Sequence, residues 1–317
     1  MEQKKLYQSL NLVGSITLAF TIPWIIFKVL RAIYLKRRYN DLQSKVVVIT
    51  GASSGLGEAL AHEFYKEGCQ VVLCARRRQE LDRVRTELLS LPCSRPSHPP
   101  IIMPLDLSDI NSLPTVVHKI LTITGQIDIL VNNGGISNRG SIVDTKPDVD
   151  IKVMLVNYFG SIALTKAVLP SLIKRKNGSI VFISSIQGLI ALPDRSSYCA
   201  SKHALQAFAD SLRAEVSSYN IAVTIISPGY VKTKLSLNAL TETGEKHGVM
   251  DTNTANGYDP QYVSERILKA VVQKEKEVVI AGILPKIAIS LRKYFPSMYF
   301  YIMTLRAKKP ISQEANQ

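Results

Sequence analysis

The 317-residue chain has only four cysteines, Cys69, Cys74, Cys93 and Cys199, with no C-x-x-C pair and no dense framework. Neither a zinc site nor a disulfide scaffold is expected, no metal centre is read from the sequence, and a reduced, cytosol-like setting is the default. Internal repeats and low-complexity stretches are also missing. With 46% hydrophobic residues, 17 Gly and 15 Pro the composition is globular, which excludes disorder, collagen and coiled coil. Acids are scarce at the two ends. Residues 1–45 hold two acids against eight Lys and Arg, and residues 282–317 hold one against six, so of the net charge of +14 only +3 remains for the core. A nucleic-acid module would carry a basic stripe inside its fold, whereas charge beside apolar flanks is what anionic lipid headgroups attract. A membrane lipid partner is expected and nucleic acid is not.

Between Lys5 and Lys28 lie 22 uncharged residues, long enough for a helix to cross a bilayer. A cleaved signal peptide is the rival reading. No small-x-small cleavage site follows the run, while Lys28, Arg31, Lys36, Arg37 and Arg38 do, which favours an uncleaved anchor with the main domain in the cytosol. Pro23 is a candidate kink. The expected location is a single-pass membrane protein of the endoplasmic reticulum, with the peroxisomal membrane as the alternative. At the other end Leu284, Ile287, Ala288, Leu291, Phe295, Met298, Ile302 and Leu305 recur at three- and four-residue steps, and Pro296 divides them into two short helices. Five aromatics fall between Tyr294 and Tyr301. That mixture suits a lipid interface, and equally an amphipathic helix packing on its own domain or on a homodimer mate. The expected organisation is an anchor and basic linker over 1–43, a catalytic domain over 44–282 and an amphipathic extension over 283–317.

The core alternates short β-branched runs with helical patterns: Val46–Thr50, Val71–Cys74, Ile101–Asp106, Ile127–Asn133, Ser179–Ser184, Ala222–Ser227 and Val278–Ala281. Seven strands with intervening helices predict an α/β fold, a Rossmann-type doubly wound parallel sheet. Residues 93–100 (CSRPSHPP) read as a surface loop. The first strand runs into Thr50-Gly51-Ala52-Ser53-Ser54-Gly55-Leu56-Gly57 and then a helical pattern. Glycines there let backbone approach a pyrophosphate, and the helix N-terminus presents free N–H groups to it.

With this spacing, G-x-x-x-G-x-G, the sequence resembles the short-chain dehydrogenase/reductase family, and further motifs follow in the family's order. Asp106, followed by Leu107, ends the third strand, where the family holds the adenine ring. Asn132-Asn133-Gly134-Gly135 ends the fourth, where N-N-A-G is usual. Asn157, Ser185, Tyr198 and Lys202 match the catalytic set, and Pro228-Gly229, Val231 and Thr233 match the segment covering the nicotinamide. The resemblance spans the whole core. It implies cofactor contacts from Gly51, Ser53, Ser54, Gly55, Leu56, Gly57, Asp106, Leu107, Asn133, Gly134, Tyr198, Lys202, Pro228, Gly229, Val231 and Thr233.

The residue types carry the chemistry independently. Tyr198 and Lys202 are four apart in a helical pattern and share a face. An ammonium beside a phenol is expected to lower the Tyr pKa toward working pH, so that Tyr198 serves as acid to a carbonyl or base to an alcohol. Ser185, at the C-terminal end of a parallel strand, can hydrogen-bond the substrate oxygen as charge develops; Ser184 is its neighbouring candidate, and the family's spacing selects Ser185. Asn157 would by resemblance hold a water that relays protons through Lys202. No carboxylate ends the second strand to pair with a ribose 2′-hydroxyl; Arg76 and Arg77 offer guanidinium groups to a 2′-phosphate instead, so NADP(H) is the expected cofactor and carbonyl reduction the expected direction. Past Thr233 a segment with Leu235, Leu237, Leu240 and Met250 falls where the family closes over its substrate. Ser184–Gly188, Ser227–Tyr230, Leu235–Ala239 and Gly248–Thr252, with the apolar leader, resemble a membrane-associated branch of the family, which implies a hydrophobic small-molecule substrate, a ketone or aldehyde of lipid metabolism. The alternatives are oxidation of a hydroxysteroid or retinol and a non-catalytic nucleotide-binding partner protein.

Overall fold

The computed structural model describes residues 2–92 and 98–308, with side chains from Thr21 onward. Residues 93–97 of the expected surface loop, residues 309–317 of the extension and the side chains of the first half of the expected anchor lie outside the described part. The chain divides into two compact units, residues 1–41 and 42–317.

The first unit is one helix, α1 (Glu2–Asn40), 39 residues long and unbroken at Pro23. At 1.5 Å per residue it runs roughly 58 Å. Apolar side chains from Ile22 to Ile33 stand exposed along it. Pro23 lies inside the helix without ending it.

In the second unit seven strands form one all-parallel sheet: β1 (Val46–Thr50), β2 (Gln70–Ala75), β3 (Ile101–Pro104), β4 (Ile129–Asn132), β5 (Gly178–Ile183), β6 (Ile221–Pro228) and β7 (Glu277–Ile280), in the order β3-β2-β1-β4-β5-β6-β7. All five residues of β1 are buried, as expected for a strand covered on both faces. One face packs on α4 (Leu113–Thr124), α6 (Gly160–Arg175) and α7 (Ser196–Glu215) through a core including Val48, Val72, Leu130, Phe182, Leu164, Val168 and Leu205. The other face carries α2 (Gly55–Lys66), α3 (Arg78–Ser90) and α9 (Pro260–Gln273). Between them lie α5 (Pro147–Met154), a π-helical turn at Leu155–Phe159 and α8 (Thr252–Ala255). The chain closes with α10 (Ile283–Tyr294) and α11 (Pro296–Ala307), divided at Pro296 as the pattern predicts.

β3 ends two residues short of the run Ile101–Asp106, the Leu105 N–H still bonding the Ala75 carbonyl at 3.1 Å, and Asp106 falls in the turn beyond it. Among the described residues one helical stretch, Pro147–Arg175, is long and apolar enough to cross a membrane. It spans α5, the π turn and α6, and Leu164, Val168 and Leu172 on it are fully buried in the sheet core.

The strand order reverses between β1 and β4, which are hydrogen-bonded neighbours. In such sheets the loops leaving these two strands diverge and open a crevice at their C-terminal ends.

Candidate active site

Thr50, the last residue of β1, ties the two diverging loops together. Its Oγ1 accepts hydrogen bonds from the backbone N–H groups of Asn133 and Gly134, both at 2.9 Å, and Asn133 Nδ2 donates to the Thr50 carbonyl at 2.9 Å. Gly51 follows with φ +67°, where a Cβ would lie 2.9 Å from Gly134 Cα, and a Cβ on Gly57 would fall 2.2 Å from the Gly51 carbonyl oxygen. Only glycine lets the turn close this tightly. The turn opens on α2, whose first N–H groups face the crevice.

Above the crevice is a cavity of about 500 Å³. Its lining includes Gly51, Ser53, Ser54, Gly55, Leu56, Gly57, Arg76, Arg77, Asp106, Leu107, Asn133 and Gly134 together with Ser185, Tyr198, Lys202, Pro228, Gly229, Val231 and Thr233. Asn157 is not in the wall. It is fully buried on the π turn, where its Oδ1 accepts from Ile136 N–H at 2.8 Å and its Nδ2 donates to the Ile136 carbonyl at 2.8 Å and to Ser201 Oγ at 2.9 Å. A Cβ on Gly135 would sit 3.0 Å from Asn157 Oδ1 and 3.6 Å from Lys202 Nζ, so both groups border the same small space.

Tyr198 enters in the first turn of α7, its backbone N–H held by Asn138 Oδ1 at 3.1 Å. Lys202 lies one turn later with Nζ donating to the Ile183 carbonyl at 2.9 Å and 5.6 Å from the centroid of the Tyr198 ring. Ser185 begins the turn after β5 and its Oγ accepts from Gln187 N–H at 3.1 Å. The Ser184 hydroxyl donates to the Lys202 carbonyl at 3.1 Å, whereas Ser185 lies with Tyr198 in the cavity wall. Burial pushes the Tyr198 phenol up to about 12, and the Ser185 bond acts against it; burial brings Lys202 down to about 8. The lowering of Tyr198 by Lys202 expected from the sequence is absent in this state, because withdrawing the phenol from water outweighs its charged neighbours.

At the adenosine end Arg77 Nη2 donates to Ser53 Oγ at 3.3 Å and Arg76 is exposed on the wall, while Arg78 turns away to Asp82 at 4.0 Å. Asp106 Oδ1 is taken up by the Ser108 N–H at 2.9 Å and hydroxyl at 2.8 Å. Across the mouth, a Cβ on Gly55 would meet Thr233 Cγ2 at 3.0 Å, so the loop after β6 lies against the glycine turn.

A sequence model of the short chain dehydrogenase family matches residues 45–243. The chain is a short-chain dehydrogenase/reductase. It is 58% identical to a "Dehydrogenase/reductase SDR family protein 7-like" of Anopheles gambiae over 94% of each chain, and 51% identical to "Dehydrogenase/reductase SDR family member 7B" of Xenopus laevis over 84% of this chain and 83% of the relative. Among solved structures it resembles a short chain dehydrogenase/reductase from Burkholderia phymatum in complex with NAD, with a TM-score of 0.72 and 20% identity over 81% of this chain and 95% of that one. It also resembles an alcohol dehydrogenase from Thermococcus sibiricus complexed with 5-hydroxy-NADP, with a TM-score of 0.63 and 24% identity over 75% and 96% of the two chains.

This short-chain dehydrogenase/reductase also has a buried charge network that the sequence reading missed. Arg139, in the loop after β4, pairs with Asp251 at 2.5 Å and donates to Ser137 Oγ and the Asn138 carbonyl; Arg195, just before α7, reaches the same carboxylate at 3.2 Å and the Tyr230 hydroxyl at 3.4 Å. Both arginines line the cavity. Burial acts to raise the Asp251 carboxyl, and the Arg139 hydrogen bonds and charge, with Arg195 behind them, outweigh it and hold it below the ordinary carboxylate range. The network fastens the segment after Thr233 over the site.

Proposed function

We propose that this protein is an NADPH-dependent reductase of a hydrophobic, lipid-like ketone or aldehyde, anchored in the membrane of the endoplasmic reticulum with its catalytic unit in the cytosol. The observation that carries the reading is that Ser185, Tyr198 and Lys202 line one cavity, with Lys202 one turn after Tyr198 and 5.6 Å from its ring centre, and that this cavity continues into the glycine cradle.

The cradle fits a dinucleotide, since the space that Cβ atoms on Gly51 and Gly57 would fill is what lets backbone approach a pyrophosphate. Gly51 to Gly57 and the start of α2 would hold the phosphates, Asp106 and Leu107 the adenosine, and Asn133, Gly134, Pro228, Gly229, Val231 and Thr233 the nicotinamide. Arg76 and Arg77, with Ser53 beside them, suit a 2′-phosphate. The NAD and 5-hydroxy-NADP named with two of the solved structures belong to those proteins and agree with a nicotinamide nucleotide here. When bound, the cofactor supplies the hydride.

The chain's own residues supply the proton and hold the substrate oxygen. Ser185 Oγ offers a hydrogen bond to the carbonyl oxygen as it gains negative charge, and Tyr198 gives that oxygen its phenolic proton. Lys202 stabilises the phenolate left behind. Asn157 and Lys202 bound the space beside Gly135, which suits a water that returns a proton to Tyr198. Ile136, Val156 and Leu235 offer apolar surface to a substrate, beside the paired Arg139 and Arg195. Support for the anchor comes from the exposed apolar stretch of α1 and the bases that follow it.

The test is consumption of NADPH by the full chain, in lipid, over a panel of apolar ketones, aldehydes and ketolipids. Turnover of at least one carbonyl, with NADH much poorer, supports the reading. Turnover confined to alcohols with NAD opposes it.

A further inference from the structure

The helices α10 and α11 carry an apolar face that the catalytic unit leaves uncovered. Leu284 is 78% exposed, and Phe295, Met298, Phe300 and Tyr301 are all more than half exposed. Tyr299 is the exception at 3%: its hydroxyl donates to the Ala191 carbonyl at 2.6 Å and pins α11 to the segment joining Ser185 to Tyr198. α10 starts directly beyond β7, whose Ile280 carbonyl accepts from the N–H of cavity-lining Gly229 at 2.8 Å. The face is therefore fixed in place, at the cavity end of the sheet.

Its charge decides what covers it. From Ile283 to Lys308 there are five Lys and Arg and no Asp or Glu. Arg292 stacks 4.9 Å over Phe300 and Lys293 lies 5.1 Å over Tyr294, so cations and aromatic rings share the surface. A second copy docking face to face would set these cations against their own kind, because a two-fold interface pairs like with like. Anionic lipid meets all of them with opposite charge, accepts the exposed apolar groups, and suits aromatic rings at headgroup depth.

We infer that α10 and α11 form a membrane-contact surface of the catalytic unit, separate from α1, which lies on anionic lipid beside the cavity mouth. It stands independently of the cofactor and of the anchor.

Trp24 in α1 is the chain's only tryptophan, so site-specific fluorescence can separate the two contacts. The full chain is placed in nanodiscs of phosphatidylcholine and phosphatidylserine with brominated acyl chains, which quench tryptophan on contact. Two variants carry Trp24→Phe, one with Phe300→Trp and one with Leu89→Trp. Phe300 and Leu89 are each 51% exposed, the latter on α3 at the opposite edge of the sheet. The inference expects quenching of Phe300→Trp by about twofold or more over unbrominated discs, weakening when phosphatidylserine is replaced by phosphatidylcholine. It expects little quenching of Leu89→Trp. Equal quenching at the two positions overturns it. So does a Phe300→Trp signal that ignores the brominated lipid and is shielded from iodide only as the protein is concentrated, which marks a second copy as the occupant. Thermal melting of both variants checks that they fold, and Met298→Trp replaces Phe300→Trp if that variant does not. Native Trp24 in the same discs reports on α1, so loss of that anchor is read separately.

Discussion

Lys202 holds its ammonium 5.6 Å from the centre of the Tyr198 ring, one turn along α7, with the Ile183 carbonyl fixing its direction. Burial moves the two groups in opposite senses, Tyr198 up to about 12 and Lys202 down to about 8. At neutral pH the phenol therefore keeps its proton, the form a carbonyl reductase needs, and the amine is charged. As pH rises the amine is lost first, and with it the charge that stabilises the phenolate product. The expected kcat/KM for carbonyl reduction is level below pH about 8 and falls above it, and Lys202→Ala removes that limb together with most of the activity. A reduction rate that climbs through this range contradicts the assignment.

Cofactor choice rests on Arg76 and Arg77 at the end of β2, where no carboxylate is available. NADPH should bind at least about tenfold tighter than NADH, about 1.4 kcal/mol. Arg76→Asp should narrow or reverse the ratio by repelling the 2′-phosphate. Titration of the protein with each nucleotide measures both, and equal affinities in the native chain refute the preference.

Asp251 is the carboxylate shared by two arginines that are almost fully buried. Asp251→Asn removes the carboxylate charge that both arginines share, and breaking a buried ion pair on one side costs about 3–5 kcal/mol. Thermal melting should fall by several degrees, and KM for an apolar carbonyl should rise more than KM for NADPH because the segment after Thr233 loses its fastening. An unchanged melting temperature means the network is not structural.

Local signals account for most of what the sequence revealed. Val46–Thr50 is β-branched throughout and buried on both faces, so β1 has the expected ends, and Thr50-Gly51 continues into α2 because the glycine turn permits little else. Pro296 likewise divides the last helices where its missing N–H requires. Two features escaped because they depend on distance through space. Arg139 and Asp251 are 112 residues apart, and only the folded sheet brings their loops together. The direction of the Tyr198 shift depends on how far the phenol is withdrawn from water, which a Tyr-x-x-x-Lys spacing does not encode. Asn157 fell between these cases: its motif was legible, but its backbone clamp on Ile136 was not.

Topology has its own reporter. Asn177-Gly178-Ser179 is the chain's one N-x-Ser/Thr acceptor, and Asn177 is exposed where β5 begins. With a cytosolic catalytic unit, intact microsomes treated with protease should lose that unit without detergent, and Asn177 should carry no glycan. Full protection of the unit reverses the orientation.

The proton donor is the centre of the account, and turnover by Tyr198→Phe beside the native chain tests it most directly. On the best apolar carbonyl of the panel, followed by loss of NADPH absorbance, the variant should lose two to about four orders of magnitude in kcat while its NADPH affinity stays near the native value. Native turnover in Tyr198→Phe would contradict the mechanism.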